Sequence, residues 1–280
     1  MEKLTDHIAG RCSGIIDSHA HYFDKRFENE YEGGADALLT ETVFPSGIEA
    51  IINVGTAPDN CLICIEQAKK YEKMYAAVGI HPEDCQHLDG DVHSEIAKIR
   101  SLIDTEEKRR KNKIVAIGEI GFDYYWQPVD RERQMDFFEA QLELAKEFGL
   151  PVIIHDREAH GDCFETVLRH PEVRGVFHSY SGSAEMAKEL TRRGWYMSFS
   201  GVLTFKNARR VREVAAAVDR EKVLVETDCP YLSPEPNRGR LNSSANLLYT
   251  VDALARSWGI TFEETKAVTN SNTRRLFDLD

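Results

Sequence analysis

Ile15 to Asp24, reading IIDSHAHYFD, is the stretch that decides the fold. A short apolar run leads into Asp17 and then into two histidines one residue apart, His19 and His21. Side chains on a strand alternate faces, so residues two apart point the same way. The two imidazoles can therefore converge on one ion, and imidazole nitrogen is a good ligand for zinc and its first-row neighbours. A lone His-x-His is weak evidence of a metal site. Its weight depends on what the other apolar runs end in.

Seven further runs of the same kind follow: EAIINVG from Glu49, MYAAVGIH from Met74, KIVAIGEIG from Lys113, PVIIHD from Pro151, GVFHSYSG from Gly175, WYMSFSG from Trp195 and KVLVETD from Lys222. They are rich in Val, Ile and Ala, bounded by Gly or Pro, and apolar at successive positions. That is the pattern of parallel strands covered on both faces. Helix-length segments separate them, among them ADALLTETVF, DNCLICIEQAKKYEK, SEIAKIRSLIDTEEKRRK and DRERQMDFFEAQLELAKEFG. The last of these has Gly149 as a C-terminal stop. A final helix is expected from Thr261, with Glu264 completing a capping box. Eight strand–helix units within about 250 residues is the arithmetic of a (β/α)8 TIM barrel. No GxGxxG follows the first strand, which argues against a dinucleotide-binding sheet. Residues 1–13 read as a polar lead-in and 14–280 as a single α/β barrel domain.

The ligand-type residues then fall in one place. His19 and His21 are expected to close the first strand, His81 the third, Glu119 the fourth, His155 the fifth, His178 the sixth and Asp228 the eighth. All these ends open on the C-terminal face, where barrels place catalysis. His19, His21, Glu119, His155, His178 and Asp228 are metal ligands by chemistry. Four imidazoles and two carboxylates exceed the needs of one tetrahedral zinc. The excess points to two divalent ions, Mg, Mn or Zn, with Glu119 as the bridge. His19, His21 and Asp228 group on one ion, and His155 and His178 on the other. Paired ions suit phosphoester displacement, with Glu119 and Asp228 as the catalytic carboxylates.

These stretches resemble the TatD family of metal-dependent deoxyribonucleases, within the amidohydrolase-like barrels. The resemblance rests on DSHAH from Asp17, VGIHP from Val78, GEIGFDYY from Gly118, PVIIHDREA from Pro151, GVFHSYSGS from Gly175 and ETDCPYLSPEPNRGR from Glu226, and runs to the final NTRRLF. It implies the same six ligands and hydrolysis of DNA phosphodiesters, typically 3′ to 5′; the expected substrate is DNA with single-stranded ends. Three departures stand out: Glu83 in place of a second histidine after His-Pro, Ser179-Tyr180 in place of Cys-Phe, and Leu241-Asn242-Ser243 after the RGR. The first and third fall in loops expected to contact substrate and bear on substrate preference rather than on metal binding. Hydrolysis of an amide, lactone or small ester on the same barrel is the competing reading, since fold does not fix function.

Around the ligands, Asp17 and Glu226 are expected to support the metal-binding imidazoles by hydrogen bonding; a buried ion pair is the alternative for Glu226. His81, Arg157, Arg238 and Arg240 are candidate substrate contacts, guanidinium being suited to phosphate. Asp123, Tyr124, Tyr125 and Trp126 read either as a packed loop or as a stacking face for an unpaired base. His7, His87, His93, His160 and His170 read as surface residues, and KRRK at 108–111 as a solvated helix end. Cys61-x-x-Cys64 lies on a helix and reads as packing, and the six cysteines as reduced thiols. The N-terminal dozen residues carry no apolar core of a secretory signal, and no run is long enough to span a membrane. The expected location is cytoplasmic, and the expected state a monomer or weak oligomer. A formal charge of −12 disfavours a broad basic face.

Overall fold

The computed structural model describes residues 12–279. Most of the expected lead-in, including His7, lies outside them. Eight parallel strands pair in chain order: β1 (Ile16–Ala20), β2 (Ala50–Val54), β3 (Met74–Val78), β4 (Ile114–Asp123), β5 (Val152–Arg157), β6 (Gly175–Phe177), β7 (Tyr196–Phe199) and β8 (Val223–Val225). A parallel bridge between Ala20 and Cys229 brings β1 to the segment that leaves β8. The expected (β/α)8 barrel is what the chain forms. Every residue of β1 and β2 is buried, because helices cover the outer face while side chains fill the interior.

The helices follow their end signals. Arg131–Phe148 starts at Asp130, whose side chain accepts from the Arg133 amide, and stops at Gly149, which takes the left-handed conformation. Its Phe138 meets Phe122 of β4 edge to face at 5.1 Å. Phe262–Phe277 carries the expected Thr261/Glu264 capping box. The Pro58–Lys70 helix buries both Cys61 and Cys64, and burial pushes the two thiols well up. They pack, as read from the sequence.

Three segments differ from expectation. The chain after β1 forms Lys25–Glu30 and then Gly34–Leu38, the second widening into a π turn at Leu39–Val43 ahead of Pro45. Gly33 and Gly34 both have positive φ, Gly33 ahead of the second helix and Gly34 as its first residue. The long helix expected through residues 94–111 breaks at Asp104: Thr105 caps a new helix, Glu106–Lys111. A threonine with a competing side-chain acceptor overrides the continuous helical pattern. Strand ends also shift. Glu119 and His155 lie within β4 and β5, while His81 and Asp228 lie three residues beyond β3 and β8.

Closure of the barrel is carried by polar contacts. His21 N donates to the Cys229 carbonyl at 2.8 Å and Asp228 N to the His19 carbonyl at 2.9 Å. Beside them the buried Asp17 carboxylate accepts from Thr227 N at 3.0 Å, Thr227 Oγ1 at 2.6 Å and Ser244 Oγ at 2.6 Å. Its contact with His19 is to the backbone amide at 3.3 Å. Asp17 therefore clasps β1 to the chain after β8, and does not support an imidazole as the sequence suggested. Removing an acceptor strands several buried donors, each worth about 1 kcal/mol or more. Asp17→Ala is expected to lower the unfolding free energy by about 2–4 kcal/mol, read from the midpoint of a urea titration; an unchanged midpoint would contradict the clasp.

Candidate metal centre

The strands deliver their polar side chains to one cavity of about 710 Å³ at the C-terminal face. At its floor lies Glu119, whose side chain is 3 % exposed. One oxygen, Oε2, is 3.3 Å from His19 Nε2 and 3.5 Å from His21 Nε2. The other, Oε1, is 2.6 Å from His155 Nδ1 and 2.7 Å from His178 Nε2. Asp228 Oδ1 completes the first side, 3.3 Å from His21 Nε2 and 3.7 Å from His19 Nε2. The structure thus brings together all six residues singled out as ligands, but His178, whose ring stacks 4.2 Å from that of His19, also lies within reach of His19 and Asp228 and so joins the two groups expected from strand order.

Tautomers follow from the outer nitrogens. His21 Nδ1 lies 2.7 Å from the Val54 carbonyl, so Nδ1 holds a proton and Nε2 points inward; burial disfavours a charged ring, but the Asp228 hydrogen bond and the charge of Glu119 outweigh it and raise its pKa. Its Nε2 faces His19 Nε2 at 2.9 Å. Two imidazole nitrogens and two carboxylate oxygens meeting at one point is a donor set for a divalent cation. His155, His178 and Glu119 Oε1 make a second such set. Asp228 has φ +55°, a conformation that Asp tolerates better than most residues.

Charge is balanced internally. Burial opposes ionisation of Glu119, but the surrounding His178, His19, His81 and His155 hold its carboxyl well below the usual range. Burial likewise disfavours a proton on His155, yet the charge of Glu119 and the hydrogen bond to Asp123 outweigh it and push its pKa up to about 9. His178 is raised too, with burial again overcome by Glu119. His19 is lowered by burial and by the neighbouring charge of His178.

The supporting residues sort differently from the sequence reading. Glu226 is buried with Oε1 3.4 Å from His178 Nδ1, an ion-pair contact and so the alternative reading, while neither atom has a hydrogen-bond partner among the described residues. Asp123 was not anticipated: its Oδ2 lies 2.9 Å from His155 Nε2, while Oδ1 accepts from the amides of Tyr125 and Trp126. The available signal was the alternation Glu119, Gly121, Asp123, which puts both acids on one face of β4. His81 Nδ1 accepts from the Glu83 amide at 3.1 Å, so its proton sits on Nε2, 3.7 Å from Glu119 Oε1. Burial and the nearby His155 lower its pKa to about 3.

Arg157 lines the cavity with its guanidinium 4.1 Å from the Tyr125 ring and 5.6 Å from that of Trp126. Tyr125 and Trp126 are half-exposed, so this loop is not simply packed. Arg238 and Arg240 do not reach the cavity wall; Arg238 lies 4.2 Å over the Phe205 ring instead. Two histidines read as surface residues have partners: His160 Nδ1 is 2.7 Å from Asp156 Oδ2, and His170 lies between Glu139 and Glu143.

A closed parallel barrel with a histidine–carboxylate cluster at the C-terminal ends of its strands defines a metal-dependent hydrolase. Residues 16–278 match the family described as TatD related DNase. The chain belongs to that family. It is 35% identical to "Uncharacterized metal-dependent hydrolase YabD" of Bacillus subtilis over 95% of this chain and 100% of that protein. It is 31% identical to "Uncharacterized metal-dependent hydrolase YcfH" of Escherichia coli K12 over 95% and 96%. The crystal structure of YJJV, a TatD homologue from Escherichia coli K12, superposes with a TM-score of 0.81 at 27% identity, covering 96% of this chain and all of that one.

Ligation requires the inward nitrogens to be free of protons. With His155 raised to about 9, uptake of Zn²⁺ or Mn²⁺ near pH 7 is expected to release protons and to tighten as pH rises toward 9. Calorimetric titration in two buffers of different ionisation enthalpy checks this; identical heats would contradict it.

Proposed function

We propose that the chain hydrolyses DNA phosphodiester bonds with two divalent cations, trimming single-stranded ends from the 3′ side. The observation that carries this is the geometry of Glu119, whose two oxygens each face a separate imidazole pair across one open cavity. The donor sets suit Mg²⁺, Mn²⁺ or Zn²⁺, held by His19, His21, Asp228 and Glu119 on one side and by Glu119, His155 and His178 on the other. Bound there, the cations would supply Lewis acidity toward a phosphoryl oxygen and lower the pKa of a water.

The chain's own residues do the rest. Asp228 is the more open of the two carboxylates, with 15 % of its side chain exposed against 3 % for Glu119. Burial raises its pKa, but the His21 hydrogen bond and the imidazole charges outweigh this and keep it ionised. It is placed to orient the attacking water and accept its proton. His81, neutral with its Nε2 proton directed inward, donates to a phosphate oxygen. Arg157 offers a guanidinium to the same phosphate or the next. Tyr125 and Trp126 offer ring faces to the unpaired terminal base. Asp123 and Glu226 hold the His155 and His178 rings in place.

The family described as TatD related DNase supports the choice of DNA. A labelled single-stranded oligonucleotide with Mg²⁺, Mn²⁺ or Zn²⁺, assayed beside amide and lactone substrates, tests it. Cleavage ladders shortening from the 3′ end and lost in Glu119→Ala are expected; turnover of the carbonyl substrates alone would overturn the reading. Asp123→Asn and Glu226→Gln are each expected to weaken metal affinity about 10–100-fold while the barrel stays folded. Unaltered affinity in direct titration would remove both from the support of the site.

A further inference from the structure

The cavity wall is a poor host for a polyanion. It carries seven carboxylates, Asp24, Glu83, Asp84, Glu119, Asp123, Asp156 and Asp228, and a single guanidinium, Arg157. Bound cations and Arg157 suffice for the phosphate being cut and one neighbour. A longer strand must place its remaining phosphates elsewhere, on a protein whose net charge is −12.

One edge of the cavity has the opposite character. Val202 and Val211 belong to the cavity wall. Val211 sits in TFKNARRVR, residues 204–212, which holds four cations and no acid. The loop after β8 adds NRGR, residues 237–240, and the two segments are joined where Arg238 stacks 4.2 Å over Phe205 and where Glu235 N donates to Thr204 Oγ1 at 2.8 Å. Lys206, Arg210, Arg238 and Arg240 are exposed. Among the described residues none of the four is ion-paired with a carboxylate, whereas Arg209 beside them is held by Glu213 at 2.7 Å. Arg210 is near enough for its charge to act on Tyr180 of the cavity wall and on Glu185. Beyond them lies a second depression of about 510 Å³, lined in part by Thr204, Arg209, Arg212 and Arg256. Arg212 is anchored there, donating to the carbonyls of Leu203 and Phe205.

We propose that this basic edge, built from Lys206, Arg210, Arg238 and Arg240, is a track for the phosphodiester backbone of single-stranded DNA whose end occupies the cavity. The inference deepens the nuclease reading and rests on it for the identity of the strand. It gives Arg238 and Arg240 a place outside the cavity that candidate contacts to the scissile phosphate do not have. Segregating the cations beyond Val202 and Val211 lets an acidic protein hold a strand without placing cations where the metal-binding carboxylates would pair with them. Such a track reads charge and not sequence.

The test compares wild type with a variant carrying Lys206→Gln, Arg210→Gln, Arg238→Gln and Arg240→Gln. A second variant, Lys206→Glu with Arg210→Glu, leaves the Arg238–Phe205 stack intact. Binding of a fluorescein-labelled oligothymidylate of about ten nucleotides is followed by anisotropy across a salt series, in EDTA to prevent turnover. Each phosphate contact contributes about 0.7 to the slope of log affinity against log salt. The fourfold variant is expected to lose about 2–3 from that slope, and the double variant to bind more weakly than wild type at low salt. In cleavage assays with metal, KM should rise on the order of tenfold for the long strand, with kcat kept and a smaller change for a dinucleotide. Equal slopes for wild type and the fourfold variant, or an equal loss for dinucleotide and long strand, would overturn the track. Binding that depends on these cations without DNA cleavage would overturn the nuclease reading and leave the track standing.

Discussion

A parallel barrel can gather ligands from its first and last strands only if those strands meet, and here the meeting is polar. β8 is three residues long, and the bridge to β1 lies beyond it, at Ala20 and Cys229. What fixes the seam is Asp17, buried and accepting from Thr227 and Ser244 across it. Burial pushes its pKa up to about 7, against the pull of those donors. The seam sets how His19 and His21 stand relative to Asp228, because Asp228 N is bonded to the His19 carbonyl. The local motif and the distant acid become one site through the backbone that joins them.

The centre itself depends on unlike groups sharing a confined space. Glu119 is buried among four imidazoles, three of them buried and that of His155 partly so, an arrangement whose desolvation cost must be met by pairing. In the protein alone, protons on His155 and His178 meet it, drawn there by Glu119. In the other half His21 bonds the Val54 carbonyl through its outer nitrogen, and there too Asp228 and Glu119 raise the pKa of the ring against the effect of burial. Asp123 and Glu226 stand behind the His155 and His178 rings on the side away from Glu119.

Much of this was legible in the sequence because strand periodicity and barrel topology constrain direction as well as order. Apolar runs ending in His, Glu or Asp marked the C-terminal face, and the grouping of His19 and His21 with Asp228 needs only that strand eight neighbours strand one. What was hidden depended on lengths and turns. Asp123 looked like part of an aromatic loop because β4 was expected to end near Gly121; the strand runs two residues further. Arg238 and Arg240 follow β8 closely in sequence, but the loop carries them out over Phe205. Asp17 shares a face with His19 and His21 in principle, yet its bonds go across the seam to the chain beyond β8. Sequence spacing gives the face of a side chain, not the partner that satisfies it.

An acidic chain that acts on DNA, as proposed for this one, must separate the charges that hold cations from those that hold phosphate. Mixed together, arginines would neutralise the carboxylates the cations need, at about 4 kcal/mol per contact pair in a medium of effective dielectric 20. The molecule keeps them apart by topology. The candidate metal-binding acids come from β4 and the segment just beyond β8, deep in the barrel, while the cations of the proposed track lie on the segments after β7 and β8, at the rim. Among the described residues Arg157 is the one cation on the cavity wall, and there its guanidinium is turned against Tyr125 and Trp126. A ring face stabilises a cation without supplying a competing anion. The same arrangement that keeps Arg157 from the carboxylates therefore leaves its donors free for a phosphate.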